Sequence, residues 1–192
     1  MSYLGLSRPG SAERAGPVRY LEIPGYFGGA SSIAAFSLTA NRTQWTPFWM
    51  PFEQTWDQLS AEVTTLQASS VVRFALHSAN DNWQPVAVIE DFGTINSTTT
   101  GVKTLTPSGG SRIVPPGRYL MATNSGHGVG LRGYRANWAP IDPAHNAFAV
   151  GFYVAQTLAG AAFPGTPLAW DNHNLGSANL MVHYVLVRVL NP

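Results

Sequence analysis

Between Leu59 and Ala122 the chain alternates apolar and polar positions with a period of two. Leu59, Ala61 and Val63 share one side of the segment 59–64, and Val72, Phe74 and Leu76 share one side of the segment 72–77. A period of two is that of a half-buried strand, because successive side chains leave a pleated backbone on opposite faces. Asn80-Asp81-Asn82 supplies a turn. Val86 to Ile89 predicts a short strand leading into Asp91-Phe92-Gly93. Residues 96–101 are a polar loop, and Val102 to Thr106 is a further strand. Pro115-Pro116-Gly117 is a tight turn that feeds Arg118 to Thr123. Strands recurring every ~8–12 residues between polar turns predict a sandwich or jelly roll.

The flanks are less regular. Ser32 to Ala40 predicts a strand and Asn41-Arg42 a turn. Trp45, Phe48, Trp49, Phe52 and Trp56 form an aromatic cluster interrupted by Pro47 and Pro51. Two prolines argue against a regular central strand, so this segment is expected at an edge or crossing between sheets. Residues 124–133 hold four glycines and read as loop, as do 137–146 and the Gly/Pro-rich stretch 158–179. Ala147 to Ala155 predicts a strand. Leu180 to Leu190 is apolar on both faces, the pattern of a central strand covered on both sides. No segment has a helical period. The expected fold is all-β: a jelly-roll-like antiparallel β-sandwich over residues 31–192, with an extended N-terminal arm over residues 1–30. Arms this rich in Pro, Gly, Arg and Ser order only when something holds them. The arm is therefore expected to dock on neighbouring subunits.

Charge sharpens this picture. Only 11% of residues are charged, against roughly 25% in an ordinary soluble protein. Lys103 is the single lysine. A surface of Ser, Thr, Asn, Gln, Gly and apolar groups suits packing against other protein better than life as a free monomer. The net charge is +1 and the 11 Lys and Arg are scattered, which argues against nucleic-acid binding. Cysteine is absent, so there is no disulfide, thiolate nucleophile or thiolate metal ligand. Residues 1–24 lack the basic and apolar regions of a signal peptide. No apolar run approaches the ~18 residues that cross a bilayer as a helix.

Reactive groups are sparse. Glu90 and Asp91 are the one adjacent acid pair, and strand geometry sends neighbours to opposite faces, so they cannot flank one scissile bond. His77, His127, His145, His173 and His183 include no i, i+4 pair of a zinc hydrolase. Trp170-Asp171-Asn172-His173-Asn174 carries several potential ligands but reads first as a self-bonded turn. Gly128-Val129-Gly130-Leu131-Arg132-Gly133 spells a dinucleotide motif without the strand-to-helix context that makes it work. Asp91-Phe92-Gly93 spells a kinase motif in a chain too short to be one. No catalytic, metal or cofactor site is expected, and the chain is not expected to be an enzyme. Asn41-Arg42-Thr43 and Asn96-Ser97-Thr98 are glycosylation sequons that matter only in a secretory pathway. The loop aromatics Tyr134, Trp138 and Trp170, with Asn172, are candidates either for stacking on a sugar or for burial at subunit contacts, where Trp and Tyr are enriched.

A family resemblance accompanies these readings. Trp45-Thr46-Pro47-Phe48, Asp57 to Thr64, Ser70 to His77, Val88 to Thr94, Thr100-Gly101-Val102-Lys103 with Leu105, and Pro116 to Ala122, in this order and spacing, resemble a β-sandwich module of bacteriophage virion proteins. The module occurs in minor tail proteins and in head or tail fibre components. The resemblance implies a structural part of a phage particle, in the tail rather than the head. Its partners would be other virion proteins and copies of itself, for example as a trimer. The alternatives are a carbohydrate-binding module contacting a host-surface glycan, and a head decoration or fibre protein. None of these implies nucleic-acid binding or membrane insertion. Residues 1–30 and those past Tyr134 carry none of these phrases, and the family supplies no catalytic residues.

Overall fold

The computed structural model describes residues 18–23, 32–81, 84–135, 141–142, 147–148, 152–155, 161–163, 181–183 and 185–190. In chain order the strands are β1 (Val18–Ile23), β2 (Ser32–Ser37), β3 (Arg42–Met50), β4 (Gln54–Thr65), β5 (Val71–Ala79), β6 (Pro85–Asn96), β7 (Gly101–Leu105) and β8 (Arg112–Val114). They continue with β9 (Gly117–Ser125), β10 (Gly130–Arg135), β11 (Ile141–Asp142), β12 (Ala147–Phe148), β13 (Phe152–Ala155), β14 (Met181–His183) and β15 (Val185–Leu190). There is no helix among the described residues.

Among the described residues every strand pairing is antiparallel, and two sheets form the sandwich. One runs β1-β15-β4-β10-β14, with β2 beside β10 and with β7 and β8 beside β4. The other runs β13-β3-β9-β5-β6. A separate two-stranded ribbon joins β11 to β12. The chain is thus an antiparallel β-sandwich of jelly-roll type, as its alternation predicts.

The core fills the space between the sheets. Phe48, Met50, Phe74, Leu76, Tyr119 and Met121 from the five-stranded sheet meet Trp56, Leu59, Val63, Leu131, Val187 and Val189 from the other. Trp56 lies wholly out of solvent and stacks against Phe48 with ring centroids 6.0 Å apart. Strict alternation would put Trp56 and Leu59 on opposite faces. A register shift frees Asp57 from pairing, since Gln58 opposes Arg188 and Trp56 opposes Val189. That one extra residue resets the parity. The freed Asp57 then receives Arg188 in a two-pronged ion pair, with Nε to Oδ1 at 2.7 Å and Nη2 to Oδ2 at 2.6 Å.

Several elements depart from expectation. β3 is an uninterrupted nine-residue strand lying between β13 and β9. It tolerates Pro47 because β13 pairs only Arg42 to Trp45. Beyond that point β9 alone pairs with the strand among the described residues, so Pro47 stands where one edge is unpaired. The segment around Val86 is not a short strand but part of the twelve-residue β6, which runs through Asp91-Phe92-Gly93 to Asn96. The glycine-rich stretch 124–133 is mostly strand, shared by β9 and β10. Within the arm, Val18–Ile23 pairs along its whole length with β15 of the same chain, from Val18↔Leu190 to Ile23↔Val185. β15 is central, between β1 and β4, but its burial alternates. Val187 and Val189 are buried while Leu186, Arg188 and Leu190 are half-buried.

Candidate functional site

The register of β3, β9 and β5 arranges the five-stranded sheet in rows. Gln44, Thr123 and Phe74 share a row on the inner face, as do Thr46, Met121 and Leu76. The rows between them face outward: Thr43–Asn124–Arg73, then Trp45–Ala122–Ala75, then Pro47–Leu120–His77, and last Trp49–Arg118. Simple alternation would leave the outward rows wet. From Thr43 to Pro47 they are instead buried, save for the half-buried Arg73. Trp45, Ala75, Leu120 and Ala122 form a second small core with Phe163, which lies across them from the segment 161–163.

Among the described residues His77 is the one titratable group packed against that second core. It is 2% exposed. Its imidazole meets Trp45 edge-on, with centroids 4.7 Å apart at 84°, and meets Phe163 edge-on at 5.5 Å. Among the described residues neither ring nitrogen of His77, nor Nε1 of Trp45, has a hydrogen-bond partner. Burial penalises the imidazolium and lowers the His77 pKa to about 4, against a smaller opposing pull from the Asp91 carboxylate. A general base needs a hydrogen-bonded orienting partner and access to substrate. His77 has neither among the described residues, so its chemistry here is that of a neutral core group.

Asp91 works one row away. Its oxygens each accept Arg73 Nε at 3.0 Å, and Oδ1 also accepts the Gly93 N–H at 3.0 Å. Phe74 opposes Gly93 and Ala75 opposes Asp91, which leaves Phe92 as an extra residue on β6. Gly93 takes φ +85° to make that bulge. The kinase-like letters are thus a bulge with its anchor, and Phe92 is delivered into the inter-sheet core. Glu90 goes to the other face, as expected. It accepts the Ser108 N–H at 2.8 Å and stands 4.0 Å from Arg112, so it ties β6 to the loop between β7 and β8.

The dinucleotide-like letters also resolve into structure. Gly130 and Gly133 lie within β10, with no helix following among the described residues. A Cβ on Gly130 would stand 2.6 Å from Thr65 Cβ and 2.9 Å from Thr65 N. The glycine serves the close approach of β10 to β4. On β10, Arg132 grips Glu62 through Nε to Oε2 at 3.0 Å and Nη2 to Oε1 at 2.7 Å. This pair holds the Glu62 carboxyl below its ordinary pKa.

At the exposed end of the outer face stands Trp49, 55% accessible. The Arg118 guanidinium sits 6.0 Å from its ring centroid. Arg118 in turn forms an ion pair with Asp81, whose side chain is 99% exposed. Asp81 lies in the turn between β5 and β6, which Asn80 braces: its amide donates to Gln84 Oε1 and its Oδ1 accepts the Gln84 N–H.

Of the candidate aromatics, Tyr134 is described as backbone alone, on β10 opposite Ile33 and Val182. Trp138, Trp170 and Asn172 lie outside the described residues, as do His145, Asp171 and His173. His127 is exposed in the turn between β9 and β10. Among the described residues no group of three or more His, Asp or Glu is placed to hold a metal ion. The residues that sequence reasoning missed are Trp49, Arg118 and Asp81. Their signal was parity: counting by two from Trp45 puts Trp49 outward at the end of β3.

No protein-family model matches the chain, and no curated protein matches it. Among solved structures it is similar to a clostridial cysteine protease, Cwp84, after propeptide cleavage. That match has a TM-score of 0.53 at 10% identity and covers 92% of this chain and 41% of that one. It is also similar to a structure of the cysteine protease and lectin-like domains of Cwp84, a surface layer associated protein of Clostridium difficile. There the TM-score is 0.47 at 10% identity, over 84% of this chain and 37% of that one. The first likeness shows a shared β fold and no more. The chain spans about two-fifths of that protein's length.

Proposed function

We propose that this chain is a structural component of a bacteriophage particle, a minor tail or tail-associated sandwich that works by packing against copies of itself and other virion proteins. One observation supports it above the rest. Four carboxylates of the described residues tie strands and loops together: Asp57 to Arg188, Glu62 to Arg132, Asp91 to Arg73, and Glu90 to the Ser108 amide. Such acids are fixed in structure rather than left to flank a substrate. The resemblance carried by the segment from Trp45 to Ala122 supplies the particle context. Those phrases fall on β3 to β9, the strands that build both faces of the core. The low charge of the chain suits a surface that is mostly covered by neighbours.

The arm gives the test. β1 belongs to the sandwich, so the docking element is residues 1–17. Deleting these residues while keeping β1 should leave a folded protein that fails to enter particles in a complementation assay. Normal incorporation of the truncated chain would remove the docking role.

A further inference from the structure

We propose that the Trp49 end of the five-stranded sheet is a binding site for a neutral pyranose ring of a glycan, with Trp49 as the stacking platform and Asp81 as the hydroxyl acceptor. It uses other residues than the candidate aromatics Trp138 and Trp170, and it does not depend on the particle reading.

The placement follows from the strand. Trp45, Pro47 and Trp49 share one face of β3 by alternation. The first two are buried and the third is 55% exposed. Arg118 is its direct cross-strand partner in the register and flanks its ring at 6.0 Å. Arg118 also fixes the Asp81 carboxylate, which otherwise faces solvent. An exposed indole and an oriented, solvent-facing carboxylate therefore stand at one corner of the sheet, held by one arginine. The turn carrying Asp81 is itself tied by Asn80 N–H to Gln84 O at 3.0 Å and by the Asn80 side chain.

The chemistry selects the ligand class. A flat, electron-rich indole face suits the apolar C–H face of a pyranose, and a carboxylate accepts hydrogen bonds from neighbouring hydroxyls. The Arg118–Asp81 pair is itself neutral, which favours a neutral sugar over a phosphate or an acidic one. A protein partner would need roughly 800 Å² of surface on this side. One indole offers at most about 250 Å². A single sugar ring matches that scale.

The test is an array of neutral oligosaccharides of glucose, galactose, mannose and N-acetylglucosamine, with sialylated and phosphorylated glycans beside them, followed by calorimetric titration of any hit. The expected result is retention of a neutral glycan. Trp49→Ala should weaken it by roughly tenfold or more, Asp81→Asn by several-fold, and Trp49→Phe by less than Trp49→Ala. Circular dichroism should find all three variants folded. Silence from every neutral glycan at millimolar concentration would overturn the proposal, as would capture of acidic glycans alone or a hit that binds Trp49→Ala undiminished. None of these outcomes bears on incorporation of the chain into particles.

Discussion

His77 presents its imidazole edge-on to the indole of Trp45, 4.7 Å between centroids, on a sheet face that alternation alone would assign to solvent. Among the described residues neither the imidazole nitrogens nor the indole N–H finds a hydrogen-bond partner. The stability of this second core therefore depends on His77 staying neutral.

The pH dependence follows with a definite sign. His77 has a folded-state pKa of about 4 against an ordinary 6.5. Below pH 6.5 the unfolded chain binds a proton that the folded chain refuses, so stability falls as pH falls. The slope approaches about 1.4 kcal/mol per pH unit and flattens once the folded state also protonates near pH 4. Urea unfolding at pH 8 and pH 5 should differ by about 2 kcal/mol from this group. His77→Phe should remove that part of the difference. An equal pH dependence in the variant would exclude His77 as its source.

Two tryptophans near each other in sequence should respond oppositely. Trp56 is fully buried and stacks on Phe48. Trp56→Ala should cost about 3–5 kcal/mol by leaving a cavity between the sheets. Trp49→Ala should change stability by no more than about 0.5 kcal/mol. Thermal melts of the two variants make the comparison directly.

Two glycines differ in the same way. Gly93 takes a left-handed φ with open space around its missing Cβ, so Gly93→Ala carries a backbone cost of about 1–2 kcal/mol and no clash. Gly130→Ala drives a Cβ into the Thr65 backbone and side chain. It should cost at least about 2 kcal/mol and loosen the β4–β10 seam. Amide exchange at Leu131 and Val63, partners in that seam, reads the local effect.

Truncations should separate the arm into two parts. Removing residues 1–17 should leave the melting temperature unchanged. Removing 1–23 strips β1 from β15 and leaves a long apolar strand at an open edge, so the shorter protein should melt earlier and aggregate. Equal melts would mean that the β1–β15 pairing contributes nothing.

These contrasts show which parts of the molecule are legible in its pattern. Leu59, Ala61 and Val63, and Val72, Phe74 and Leu76, read correctly because alternation reports one buried face. β3 read poorly because Pro47 carries a general prohibition, which lapses where one edge is unpaired. β10 was hidden because Gly130 looks like a loop residue, although a strand crowded against Thr65 requires it. The burial of His77 and Trp45 was invisible because their cover, Phe163, is remote in sequence. The Trp49 corner was obscured by its place in an aromatic cluster whose other members are core. Tyr134 emerged as a strand residue, while Trp138, Trp170 and Asn172 fall outside the described part of the chain.

The central claim is that the chain is a part of a phage particle. Quantitative mass spectrometry of density-banded particles from a producing host tests it most directly. The account predicts peptides of this chain in the banded particles, in a fixed ratio to the other virion proteins that persists through a second banding and a high-salt wash. Loss of the chain from the particle band, with recovery only in the soluble fraction, would contradict it.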